Sequence, residues 1–236
     1  DLIMLSLNHY EICNHIFLYR ETPTFIKNID ASLDPSKDYL LDITLLAMTI
    51  NEDFSADKSK LLGRNSIKDY IFLCFLLGND FLPHNPSINI RTNGIDILVN
   101  HYRDTIVKNN VFLIIDNKIQ WNNVKTLIKS LTVEEHKRIR EDYIKREGFK
   151  LTNICPEKKL LMLPMIDRRT EKYINPLEHK WQQRYYKQLF NCNNVYFNDT
   201  LKNICINYLE GLEWTMEYYS SGCKNWMWKY NYTYAP

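Results

Sequence analysis

Ser66-Ile67-Lys68-Asp69-Tyr70-Ile71-Phe72-Leu73-Cys74-Phe75-Leu76-Leu77-Gly78-Asn79-Asp80-Phe81-Leu82-Pro83-His84 is the stretch that decides how this 236-residue chain reads. Ile67, Tyr70, Ile71, Cys74 and Phe75 recur at helical spacing. Ser66 and Asp69 have the form of a capping box, so a helix is expected to start there. Gly78 suits a left-handed helix stop. Asp80 follows within two positions, on a rigid apolar element and near the negative pole of the helix macrodipole. A bare carboxylate is disfavoured at that pole unless a cation compensates. Hard divalent cations take carboxylate oxygens, and Mg²⁺ usually takes one or two per ion and keeps waters. A turn cap or an Arg partner is the other reading of Asp80.

Helical patterns dominate on both sides. Residues 1–7 alternate as a buried strand would, with Asp1 at their head, and Ile16 to Tyr19 suggests a second short strand. Asp34-Pro35 fits an N-cap followed by proline at the first helical position, with Tyr39, Leu40, Ile43, Leu46 and Ile50 as an apolar face. Ile95, Leu98, Val99, Tyr102 and Ile106 mark a further helix, and Val124, Leu127, Ile128 and Leu131 another. Thr132 and Glu135 are placed to cap the helix that carries His136 to Lys145. Prolines and Gly148 make 148–180 an irregular connection. A long helix runs from Asp199 or Thr200 to about Ser221, stopped by Gly222, and the remainder is aromatic and extended. The fold expected is mostly α, with a short β/α start.

Composition sets the bounds. Apolar residues make up 45% and charged residues 25%, an ordinary globular balance that excludes disordered and collagen-like chains. No apolar run approaches the roughly 18–20 residues of a membrane span. Residues 1–100 carry 8 basic and 13 acidic side chains, and residues 101–236 carry 22 and 15. An acidic first part could hold cations and a basic second part could face phosphates, though ordinary solvated surfaces would give the same counts. The six cysteines show no C-x-x-C pair and no zinc-site spacing, so reduced thiols in a cytosol are expected. The chain opens on Asp1 without Met and without a signal segment, and it reads as a piece of a longer protein.

Several segments together resemble the Xrn-type 5′→3′ exoribonucleases. Leu77-Gly78-Asn79-Asp80-Phe81-Leu82-Pro83-His84, with Pro86-Ser87-Ile88 and Gly94-Ile95-Asp96 after it, is similar to the family's sharpest motif. Asp1-Leu2-Ile3 resembles the end of its D-x-D-L-I segment, and Leu18-Tyr19-Arg20-Glu21 its L-R-E-E. Trp181-x-x-Arg184-Tyr185-Tyr186-Lys187, Gly211-Leu212-x-Trp214, Tyr218-Tyr219-x-x-Gly222-Cys223-x-x-Trp226-x-Trp228 and Tyr232-x-Tyr234-Ala235-Pro236 follow in the family's order. The sequence departs from the pattern at Lys229, Asn231 and Thr233, where the family has Tyr, Pro and His, and at Ala47-Met48, where it often has Arg-Glu.

The resemblance implies that residues 1–100 form the end of an α/β nuclease core and 101–236 a helical domain with an aromatic C-terminal segment. It implies that Asp1 and Asp80 are catalytic carboxylates binding Mg²⁺, or Mn²⁺, in an enzyme that hydrolyses single-stranded RNA bearing a 5′-monophosphate to mononucleotides. The other acidic ligands and the 5′-phosphate pocket lie upstream in the family, so this chain alone is expected to be inactive. His84 and Asn79 stand beside Asp80, where either could orient it; a structural turn histidine is the alternative for His84. Trp226 and Trp228 are candidates for stacking on RNA bases, or else core anchors. Arg168 and Arg169 are candidates for phosphate contact. The basic run of 137–146 is interleaved with acids and reads as a solvated face. No nuclear-type basic cluster stands out, which favours the cytoplasm over the nucleus, and the resemblance implies a part in messenger RNA decay. A flap-type DNA nuclease would follow its Asp with a glycine-rich duplex-gripping turn, absent from Asn85-Pro86-Ser87-Ile88-Asn89-Ile90. A relative that binds RNA or protein without cutting is the third reading.

Overall fold

In the computed structural model the described residues are 2–13, 15–20, 22, 26–28, 30–54, 64–148, 167–192 and 199–236. They form a mostly α structure with two small antiparallel hairpins. Its centre is the helix α3 (Arg64–Phe75), in which Ile67, Ile71, Phe72, Leu73 and Phe75 are buried on every side. Three polar residues of α3 are buried as well, and each has a partner: Ser66 donates to Asn51 Oδ1, Lys68 Nζ donates to Asn117 Oδ1, and Asp69 accepts from Tyr102 Oη (2.7 Å) and from the backbone N–H groups of Leu113 (2.9 Å) and Ile114 (2.7 Å). The expected capping box is therefore not one. Ser66 and Asp69 lie within the helix, and their polar groups tie α3 to its neighbours. Burial pushes the Asp69 carboxyl up to about 7, against the three donated bonds that favour its charged form.

The opening residues correct the expected strand, because α1 (Leu2–Asn8) is a helix. Met4, Leu5 and Leu7 pack on the core from it, and Asn8 Nδ2 donates to Tyr219 O at 2.8 Å. Positions 4, 5 and 8 share a helical face that a strand would split. The second expected strand is present as β1 (Phe17–Arg20), paired with β2 (Tyr39–Asp42) in the register Phe17↔Asp42 and Tyr19↔Leu40. Asp34 does not start a helix. Its carboxylate accepts from Ser36 N (3.0 Å) and Ser36 Oγ (2.8 Å), closing a turn before β2. Asp42 takes over the capping role, accepting from Leu45 N at 3.0 Å as α2 (Ile43–Phe54) begins.

Downstream come α4 (Gly94–Tyr102), continued by a π turn over Arg103–Val107, then β3 (Ile114–Ile115) and β4 (Lys118–Ile119). Asp116 and Asn117 both have positive φ (49° and 62°), as a two-residue hairpin turn requires. Next are α5 (Trp121–Thr132) and α6 (Glu135–Glu147). Thr132 donates to Lys129 O at 2.9 Å instead of capping α6. One member of the basic run on α6 turns inward, Arg138, whose Nη2 donates to Leu131 O at 2.5 Å. Most of the segment expected to be irregular lies outside the described residues, but α7 (Arg169–Ile174) is helical within it. Then follow α8 (Trp181–Phe190) and the 23-residue α9 (Asp199–Ser221).

Helix α9 buries Ile204, Tyr208, Gly211, Leu212, Thr215, Met216 and Tyr219 along one side. It ends at Gly222, whose φ of 87° is left-handed. Residues 222–236 run without regular structure back along α9. Among the described residues no helix is long and apolar enough to cross a membrane. Cys74, Cys192, Cys205 and Cys223 are wholly or partly buried, whereas Cys13 is exposed.

Candidate functional site

The site is built at the C-terminal end of α3. Leu76 and Leu77 close the last turn, and Gly78 N donates to Phe75 O at 3.1 Å. Gly78 has φ 91°, and a Cβ there would sit 3.0 Å from His84 N and 3.2 Å from His84 Cβ. The chain can turn this tightly only with glycine. Asn79 then fixes the loop. Its Oδ1 accepts from Phe81 N and Leu82 N, both at 2.9 Å, and its backbone N donates to Leu82 O at 3.0 Å. Asn85 N closes the loop on Leu76 O at 2.9 Å.

Asp80 sits at the tip of this closed loop, with its side chain exposed. Among the described residues no hydrogen bond or ion pair engages its carboxylate. Its charge reaches Tyr219, whose hydroxyl is pushed up to about 12 by burial first and by Asp80 second. His84 is exposed, and its Nδ1 lies 2.8 Å from Asn85 O, so its ring serves its own turn. Asp1 lies outside the described residues.

Behind the loop stands a layer of rings. Phe81 meets Trp214 edge-on at 4.9 Å and Tyr218 at 5.1 Å. Trp214 stacks on Tyr218 at 5.4 Å and on Trp228 at 5.2 Å. Trp228 is thus a half-buried member of this layer, while Trp226, two residues earlier, is 81% exposed. Phe81, Trp214 and Tyr218 were not singled out from the sequence as site residues; for Trp214 and Tyr218 the signal was their common face on α9, four positions apart.

The two arginine candidates lie elsewhere, on and beside α7. Arg168 donates to Glu171 (2.7 Å) and Tyr143 O (3.2 Å) and lies 4.9 Å over the Tyr143 ring. Arg169 grips Asp167 at 2.6 to 3.1 Å, and this bond holds the Asp167 carboxyl down to about 2. A groove of about 730 Å³ joins that region to Pro83 and His84, walled by Tyr143, Trp181, Tyr185 and Tyr234.

A divalent cation fits the donor chemistry of Asp80: an exposed carboxylate, without a hydrogen-bond or ion-pair partner among the described residues, on a loop whose backbone is held by its own bonds. Among the described residues no group of three or more His, Cys, Asp or Glu side chains gathers there.

The family model described as the Xrn1 helical domain matches residues 63–159 and 167–236, more than half of the chain. The chain belongs to the Xrn family. Relatives of this Xrn chain include 5′-3′ exoribonuclease 2 of Arabidopsis thaliana, 24% identical over 92% of this chain and 30% of that protein. Human 5′-3′ exoribonuclease 1 is 23% identical over 100% of this chain and 16% of its own length. The protein of Debaryomyces hansenii, also a 5′-3′ exoribonuclease 2, is 41% identical over 32% of this chain and 8% of its own. The chain spans less than a third of the length of these curated relatives. Asp80, Trp226 and Trp228 all fall inside the helical-domain match.

Proposed function

We propose that this Xrn chain supplies a metal-binding carboxylate and an RNA-stacking surface to a magnesium-dependent 5′→3′ exoribonuclease, whose substrate is single-stranded RNA with a 5′-monophosphate. The observation that carries this is Asp80, an exposed carboxylate with no hydrogen-bond or ion-pair partner among the described residues, on a loop locked by Gly78, Asn79 and Asn85. Asp80 and Asp1 would hold Mg²⁺, with Mn²⁺ as a substitute. Bound there, the ion would act as a Lewis acid and lower the pKa of a coordinated water for attack on the terminal phosphodiester.

The chain's own residues then have separable tasks. Asn79 holds the two amides after Asp80, so the carboxylate is placed before any ion arrives and little ordering entropy is lost on binding. Trp226 presents a free ring on which a base can stack without sequence preference, at about 1–3 kcal/mol per base. Trp228 anchors the segment that carries it. Of the two arginines, Arg169, with the more exposed side chain, is the better placed to exchange its carboxylate for a phosphate. The relatives' greater length suggests that the remaining acidic ligands and the 5′-phosphate pocket come from other parts of a longer chain, so the 236 residues alone are proposed to be inactive.

The test is degradation by the full-length enzyme in Mg²⁺ of the same RNA carrying a 5′-monophosphate or a 5′-triphosphate, with Asp80→Ala as control. Rapid loss of the monophosphate form alone, abolished by Asp80→Ala, is expected. Equal decay of both ends would remove the phosphate-directed mechanism.

A further inference from the structure

Resting on the assignment of Asp80 and Trp226 above, we propose that one face of α9, centred on Gly211, fixes the metal-binding loop and the RNA-stacking segment relative to each other, and that Gly211 is a positioning residue for the nuclease. Tyr208, Gly211, Trp214 and Tyr218 lie three or four residues apart and so share a helix face.

The residues after Asp80 dock on this face one after another. Phe81 meets Trp214 and Tyr218 edge-on. Leu82, 1% exposed, lies against Gly211. The Pro83 carbonyl accepts from Tyr208 Oη at 3.0 Å.

The aromatic segment docks on the same residues from its own side. Asn225 O accepts from Trp214 Nε1 at 3.0 Å. Trp228 stacks on Trp214 and reaches over Gly211. Tyr230 meets Tyr208 edge-on at 5.6 Å.

Gly211 is where the two segments share one space. A Cβ at this position would stand 2.6 Å from Leu82 Cδ2 and 2.8 Å from Trp228 Cη2. Neither neighbour has an easy escape, because Leu82 is buried and the Trp228 ring is pinned against Trp214. Helix propensity alone would favour alanine in the interior of a 23-residue helix; contact with both segments excludes it. A methyl group here must therefore push the Asp80 loop, the Trp226 segment, or both. Through Tyr208 and Trp214 the same face holds each segment by a directional bond, so its displacement moves the carboxylate and the ring together.

The experiment compares the full-length enzyme with Gly211→Ala and Tyr208→Phe, reading the Mg²⁺ concentration for half-maximal activity and kcat at saturating RNA, with circular dichroism to follow folding. Gly211→Ala is expected to keep its helical spectrum, to need several-fold more Mg²⁺, and to lose about 10-fold or more in kcat, since a displacement near 1 Å can cost about 100-fold. Tyr208→Phe removes only the bond to the Pro83 carbonyl. It keeps the proposal testable should Gly211→Ala fail to fold, and it is expected to raise the Mg²⁺ requirement about twofold or more. A purely structural role would lower the melting temperature and leave the Mg²⁺ requirement unmoved, and that result in the folded variants overturns the inference. Asp80→Asn separates the two levels. If it abolishes activity while Gly211→Ala and Tyr208→Phe behave as wild type, the positioning role falls and the metal assignment stands. If Asp80→Asn is fully active, the metal assignment falls and takes the positioning role with it.

Discussion

Replacing Gly78 by alanine should destabilise the chain by about 2–3 kcal/mol, and the structure provides its own control. Gly78 has φ 91° and Gly222 has φ 87°, so both force an L-residue into the left-handed region, at about 1–2 kcal/mol. Both substitutions recover about 0.4–1 kcal/mol by restricting the unfolded chain. They differ in what the new methyl meets. At Gly222 there is nothing within 4 Å, which leaves a net loss of about 1 kcal/mol or less. At Gly78 the methyl stands 3.0 Å from His84 N, 3.2 Å from His84 Cβ and 3.4 Å from His84 Cα, largely backbone that cannot rotate away. Overpacking of this kind adds about 1–3 kcal/mol. Urea unfolding of the two variants, with the m-value checked for constancy, gives the difference directly. Gly78→Ala is expected to lie about 1–3 kcal/mol below Gly222→Ala. If it is no less stable than Gly222→Ala, the tight closure of the Asp80 loop on His84 is wrong.

Three other outcomes follow from the same contacts. Trp226→Ala should leave stability within about 0.5 kcal/mol of wild type, as for an exposed side chain, while weakening single-stranded RNA binding by about 1–3 kcal/mol in the full-length enzyme; Trp228→Ala should do the reverse in the first respect, lowering the unfolding midpoint. Asn79→Ala leaves the Phe81 and Leu82 amides without their acceptor and should cost about 1–3 kcal/mol in urea unfolding, whereas a loss below the resolution of that measurement would mean the loop does not depend on it. Asp69 is raised to about 7 in the folded chain from an unfolded value near 3.9, so the folded state holds a proton that the unfolded state releases between roughly pH 4 and 7. Its contribution is therefore full below about pH 4 and lost as pH rises to about 7, and Asp69→Asn should remove that slope from the pH dependence of unfolding free energy.

The elements legible in the sequence were those whose apolar spacing and stop signals agreed. Val124, Leu127 and Leu131 read correctly as one buried face, and Gly78 and Gly222 read correctly as helix stops. Where two devices competed, local pattern misled. Ser66 and Asp69 have capping-box spacing, but Asn51 and the amides of Leu113 and Ile114, distant in sequence, claim those side chains. Asp34-Pro35 looks like a helix start, yet Asp42 supplies the cap because β2 must first complete its pairing with β1. Leu2 to Leu7 alternate, and the packing of Met4, Leu5 and Leu7 on the core, with Asn8 docked on Tyr219, shows that the helical face is the buried one. At the site, Asp80 was visible from the glycine before it. The different exposure of Trp226 and Trp228 was not, because it depends on Trp214 and Gly211, which approach from another helix.

The central claim, that Asp80 is a metal-binding carboxylate of a 5′→3′ exoribonuclease, is tested most directly by the Asp80→Asn enzyme. The full-length protein and this variant are given 5′-monophosphorylated RNA across a range of Mg²⁺ concentrations. Loss of activity by about 100-fold or more, with an unfolding midpoint unchanged because the side chain is exposed and has no partner among the described residues, is the expected result. Wild-type activity and an unaltered Mg²⁺ requirement in the variant would contradict it.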